Sequence, residues 1–111
     1  MVRFQIRLLK QANDFLYTLD SKTKAKVLLN IKVAQEKNDP ILLKKISNTI
    51  WEFRTSYMKR EIRLFAFWDK RNNQSTLVIA THGFIKKSRK TPKREIKRAE
   101  NIRIQYYERN K

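Results

Sequence analysis

A chain of 111 residues with 27 lysines and arginines against 10 acidic residues carries a net charge of +17. Such self-repulsion favours a phosphate-rich partner or an acidic protein partner over a bare basic surface. The apolar content of 41% supports one folded domain, residues 1–111, and excludes a disordered basic tail. With no cysteine and a single histidine, His82, the chain offers no disulfide frame, thiolate site or zinc centre, and neither a metal nor another cofactor is expected. Arg3 and Arg7 break the apolar character of the first residues, and no uncharged apolar run approaches membrane-spanning length. A cytoplasmic protein without membrane contact is expected.

Val2, Phe4, Ile6 and Leu8 alternate with Arg3, Gln5 and Arg7, which predicts a strand with one face in the core. Ala12, Phe15, Leu16 and Leu19 fall at helical spacing and predict a short amphipathic helix. Asp20 or Ser21 can cap a second helix, residues 22–37, with Val27, Leu28, Ile31 and Ala34 on its apolar side. Its many lysines read as a solvated face. Asn38-Asp39-Pro40 ends that helix, and Asp39-Pro40 can start a short helix over 41–46 as cap and first residue.

From Thr49 the period becomes two. Ile50, Glu52 and Arg54 share one face; Trp51, Phe53 and Thr55 share the other. A turn is predicted over 55–59, an aromatic-rich strand over 60–69, a polar turn over 69–74 and a nearly continuous apolar strand over 75–85. These strands should form an antiparallel meander. A final helix over 92–109 starts at Thr91-Pro92 and carries Ile96, Ala99, Ile102 and Tyr106 as its stripe. The order β-α-α-(α)-β-β-β-α predicts an α+β fold. It has a small antiparallel sheet of about four strands with helices on one face, and the other face is left to the arginines.

Positive charge concentrates where the last strand ends, from His82 to Arg98. A rigid strand end is a good mount for a functional loop. Gly83 is the only glycine, so its use points to close backbone approach or a bulge. Lys93, Arg94, Lys97 and Arg98 crowd a helix start, where cations oppose the helix dipole; that local cost argues for function.

Trp51-Glu52-Phe53-Arg54, then Ile62-Arg63-Leu64-Phe65-Ala66-Phe67, then His82-Gly83-Phe84-Ile85-Lys86-Lys87 with Lys90-Thr91-Pro92 and Glu95 form an ordered set. Together with the element order, they resemble the HigB-like, phage-derived branch of the RelE/ParE toxin superfamily. The resemblance implies a RelE-like fold and the toxin of a type II toxin–antitoxin system. It implies a ribosome-dependent endoribonuclease that cuts translated messenger RNA and inhibits translation. It also implies a cognate helix-turn-helix antitoxin, HigA-like, through which alone operator DNA is bound.

Metal-free RNA cleavage needs help with deprotonating the 2′-hydroxyl, stabilising the phosphorane and protonating the leaving oxygen. Arg54 and Arg63 suit the phosphate, because a guanidinium stays charged and grips two oxygens at once. Arg54 has the alternative of an ion pair with Glu52. Lys86 or Lys87 would take the place of the basic residue that related toxins carry after their last strand. His82 is either catalytic or a satisfied structural group. Tyr106 lies on the apolar stripe, which leaves Tyr107 as the candidate for stacking on a base or aiding the acid step. Arg89, Lys90, Lys93, Arg94 and Lys97 are assigned to RNA or ribosome binding by charge alone. Two other classes remain open: a non-enzymatic basic RNA-binding protein, and a ParE-like toxin that inhibits gyrase.

Overall fold

The computed structural model describes residues 4–37, 39–71, 76–79, 83–86 and 92–109. Its elements are β1 (Gln5–Leu8), α1 (Lys10–Tyr17), α2 (Ser21–Glu36), β2 (Leu43–Lys45), β3 (Trp51–Tyr57), β4 (Arg60–Asp69), β5 (Thr76–Ile79), β6 (Phe84–Lys86) and α3 (Lys93–Arg109). The sheet order is β1-β5-β4-β3-β2, with β6 also paired to β4. Strands β2 to β5 form a four-stranded antiparallel unit, and β1 joins its edge in parallel to β5. The α+β class and the small antiparallel sheet are therefore as the pattern predicts.

Helices lie on both faces rather than one. On one face α1 and α2 bury Ala12, Leu16, Val27, Ile31 and Ala34 against Phe53, Ile62, Leu64 and Ala66. On the other, Ala99 and Tyr106 of α3 close over Ile50, Phe65 and Phe67. The cause is β4, which is apolar at both parities from Leu64 to Phe67; a strand of that composition must be covered twice. The face carrying Arg54 and Arg63 is therefore only partly free.

Helix α2 starts at Asp20, whose carboxylate accepts from the Thr23 amide at 3.1 Å and from the Thr23 hydroxyl at 2.7 Å. Thr23 is fully buried, so this cap is part of the core edge. Val27, Ile31 and Ala34 face inward as expected, whereas Leu28 is exposed. Gln35 pins the first strand by donating to the Phe4 carbonyl at 2.7 Å.

The short helix expected over 41–46 is instead a single turn followed by β2. The Leu42 and Leu43 amides donate to the Asp39 carbonyl, and the Asp39 carboxylate accepts from the Ile41 amide. One turn exhausts the helical potential here, because residues 43–45 gain more by pairing with 51–53 of β3. The loop expected over 55–59 shrinks to Met58 and Lys59, with β3 running on to Tyr57. Both residues have positive φ, 51° and 62°, the pair of conformations a tight two-residue hairpin needs. Neither position is glycine or asparagine, so a turn this tight has no local signature.

The strand expected over 75–85 is two strands. Ile79 lies opposite Ala66 and Phe84 opposite Arg63, so β6 pairs two residues out of the register of β5. Gly83 leads into β6 with φ +62°; a Cβ there would clash with the Phe15 ring and meet Leu64 Cδ2 at 2.8 Å. Close backbone approach is thus the reason for the single glycine. Among the described residues, no helix is long and apolar enough to cross a membrane.

Candidate functional site

The β3–β4 register decides the site. Arg54 sits directly opposite Arg63, and Ser56 opposite Glu61. Residues opposite one another in an antiparallel pair share a face, so these four side chains lie on the α3 side of the sheet. Strand β2 ends its pairing at Phe53, and the Arg54 amide donates to the Leu42 carbonyl at 2.8 Å. Beyond that point the edge of β3 is open. A groove of about 510 Å³ lies there, lined by Lys26 and Asn30 of α2, Ile41 and Leu42, and Arg54, Ser56, Glu61 and Arg63.

The two arginines differ. The Arg54 side chain is 34% exposed, whereas that of Arg63 is 4% exposed. Both approach buried Glu52, with Arg54 Nε 3.6 Å and Arg63 Nε 3.5 Å from its Oε1. Arg63 Nη2 also lies 3.6 Å from Glu61 Oε1, and Nη1 donates to the Ile62 carbonyl at 3.1 Å. The carboxylate distances are those of ion pairs, too long for good hydrogen bonds. Arg63 Nε has no hydrogen-bond partner among the described residues, although it is buried. Glu61 also accepts a hydrogen bond from the Ser56 hydroxyl.

Lys86 of β6 pairs with Glu61 from the other side of β4, and Phe84 pairs with Arg63. The structure therefore brings Arg54, Arg63 and Lys86 onto one face of three adjacent strands. The expected ion pair of Arg54 with Glu52 is present alongside the groove position. His82, Lys87, Arg89 and Lys90, together with Thr91, the expected helix cap, lie outside the described residues. Lys93, Arg94 and Lys97 are exposed on the first turns of α3. Lys93 and Lys97 line a different hollow, with Ser47, Asn48, Thr49, Ile96 and Glu100.

Tyr107 is not brought to the arginine groove. Its hydroxyl donates to the Trp68 carbonyl at 2.7 Å, near the opposite end of β4. Burial, then the charge of Asp69, pushes its phenol above the ordinary value, so it stays protonated. Beside it, Tyr106 donates to Asp69 Oδ2 at 2.7 Å, and Arg7 Nη1 donates to Tyr106 at 3.3 Å. Arg71 grips Asp69 with two side-chain bonds, of 3.0 and 2.8 Å, and a backbone bond of 3.1 Å. Those bonds from Arg71, with help from Tyr106, hold the Asp69 carboxyl well below the usual carboxylate range. The Arg71 guanidinium also stacks 4.7 Å from the centre of the Tyr107 ring.

Lys26, Asn30, Ser56 and Glu61 did not stand out in the sequence. Only the exact place of the Met58-Lys59 turn sets the register that puts Ser56 beside Glu61 and Arg54 beside Arg63. A family model described as phage derived protein Gp49-like (DUF891) matches residues 14–103, a span that holds the whole groove. No curated protein and no solved structure matches the chain.

Proposed function

Because the chain belongs to the phage-derived Gp49-like family, a family of RelE/HigB-like toxins, we propose that it is the toxin of a type II toxin–antitoxin system and an endoribonuclease that cuts translated messenger RNA on the ribosome. The observation that carries this reading is the pairing of Arg54 with Arg63 across β3 and β4 in a groove open to solvent.

In this reading the scissile phosphate enters the groove and meets Arg54 from the exposed side. The ribose 2′-hydroxyl attacks phosphorus, the bond to the 5′-oxygen breaks, and a cyclic phosphate is left on the upstream piece. Charge grows on the phosphoryl oxygens, and a fixed guanidinium stabilises it without having to reorganise. Arg63 supplies a second cation from below, and Lys86 of β6 adds positive charge one rung further along the same face. With one histidine in the chain, a pair of imidazoles cannot share the proton transfers. Strong charge stabilisation and weak acid–base equipment fit an enzyme whose substrate is positioned by the ribosome. The site of action would then be the cytoplasm. The partner would be a helix-turn-helix antitoxin presenting an acidic element to the basic surface, and binding that is insensitive to salt would contradict that electrostatic part.

Induction of the wild-type chain and of Arg54→Ala, with growth followed and messenger RNA ends mapped, tests the reading. Arrest with new ends inside translated codons, both lost in Arg54→Ala, is expected. Arrest without new ends would point to a gyrase-type toxin. Tight RNA binding with neither arrest nor cuts would point to a binding module.

A further inference from the structure

Among the described residues, buried Arg63 has fewer close acceptors than donors, with the Glu52 carboxylate 3.5 Å from its Nε. An arginine has five N–H donors. Of those on Arg63, Nη1 meets the Ile62 carbonyl, Nε has no hydrogen-bond partner among the described residues, and Nη2 has Glu61 only at ion-pair distance. The Glu61 side chain is 47% exposed, lines the groove and accepts a hydrogen bond from the Ser56 hydroxyl. A carboxylate so placed stands where an oxyanion would be expected to sit. The register adds a second fact. Ser56, Glu61 and Lys86 form one rung across β3, β4 and β6, and Arg54, Arg63 and Phe84 form the next rung on the same face. Rungs on one face are two residues apart, about 7 Å. That spacing is comparable to the separation of consecutive phosphates along a single ribose-phosphate strand.

We propose that the Ser56–Glu61–Lys86 rung is a second phosphate subsite, which takes the phosphodiester next to the one held by Arg54 and Arg63. Glu61 is its resident carboxylate. When a strand with two consecutive phosphates enters, Glu61 leaves Arg63, the second phosphate takes its place between the Ser56 hydroxyl and the Lys86 ammonium, and Arg63 gains a better acceptor. A single phosphate engages only the first rung and leaves Glu61 where it is. The site thus discriminates by the number of linked phosphates. The inference rests on the reading of the groove as an RNA site.

The test compares a 2′-O-methyl dinucleotide, with one phosphodiester, and a 2′-O-methyl trinucleotide, with two, as probes that cannot be cut. Binding of each to the wild-type chain, Glu61→Gln, Glu61→Asp, Lys86→Ala and Arg54→Ala is measured at low salt. Glu61→Gln should tighten the trinucleotide about fivefold, the scale of losing one partly exposed competing ion pair. It should change the dinucleotide less. Glu61→Asp leaves net charge untouched but withdraws the carboxylate by one methylene, so it too should favour the trinucleotide. Lys86→Ala should remove most of the gain from the second phosphate. Glu108→Gln, on the exposed far end of α3, makes the same charge change as Glu61→Gln and should move both probes equally. An equal trinucleotide advantage in the wild type and both Glu61 variants would overturn the subsite while leaving the groove intact. Arg54→Ala binding both probes as well as the wild type does would overturn the groove reading and the subsite with it.

Discussion

The two ends of β4 each set arginine against carboxylate and reach opposite outcomes. At one end Asp69 receives bonds of 2.7 to 3.1 Å from Arg71 and Tyr106, and both tyrosine hydroxyls have acceptors. At the other end, about 20 Å away along the strand, Arg63 and Arg54 meet carboxylates only at 3.5 to 3.6 Å. The first end is saturated and ties α3 and β1 to the sheet. The second retains unused donors beside an open groove. Arginines beside carboxylates are thus not equivalent sites; what separates them is whether their hydrogen bonds are already made.

The sharpest way to break this comparison is Arg63→Ala. It removes a cation from beside buried Glu52 and should cost about 3 kcal/mol of stability, measured by urea unfolding. A neutral result would mean that Glu52 is held mainly by other partners. Arg54→Ala is the cleaner functional probe, because its side chain is a third exposed. Cleavage on translating ribosomes should fall on the order of 100-fold while the melting temperature holds. Tyr106→Phe at the saturated end should do the reverse: a loss of about 1 kcal/mol in stability with cleavage unchanged. Activity lost in that variant with stability retained would make the far end a functional site as well.

The same end also sets an acid limit. Asp69 is depressed below its unfolded value, so its contribution is complete above the ordinary carboxylate range and is lost as pH falls through the folded value. Asp20, depressed by Thr23 and Arg60, acts with the same sign. Unfolding midpoints measured from pH 5 downward should fall less steeply in Asp69→Asn than in the wild type. The smallest effect concerns the turn that sets the groove's register. Replacing Met58-Lys59 by Asn-Gly should stabilise by roughly 1 kcal/mol, because both positions have positive φ. Unchanged cleavage in that variant would confirm that the register is kept.

Much of the scaffold was legible because alternation is a local signal. The β3–β4–β5 meander, the facing of Glu52 and Arg54, and the stripe of α3 all follow from spacing within one element. What could not be read was mostly pairwise. Residues 43–45 are too few to announce a strand, and their pairing depends on Trp51–Phe53. The stripe of α3 says that it packs, not against which face; the double-sided apolar character of β4 was the overlooked sign. Arg54 and Arg63 were found as single residues, but Glu61 belongs to their site only through the hairpin register. The Asp69–Tyr106 bond joins residues 37 positions apart and leaves no local trace.

The parallel edge of the sheet has a consequence for biosynthesis. Gln5 pairs with Thr76, and Arg7 reaches Tyr106. Strand β1 therefore waits for a partner made about 70 residues later, several seconds of further synthesis at about 5–20 residues per second. Its neighbour β5 and the clasp from α3 arrive only after β2, β3 and β4. Fragments that stop short of β5 lack both, and this edge of the sheet cannot close until β5 has been made.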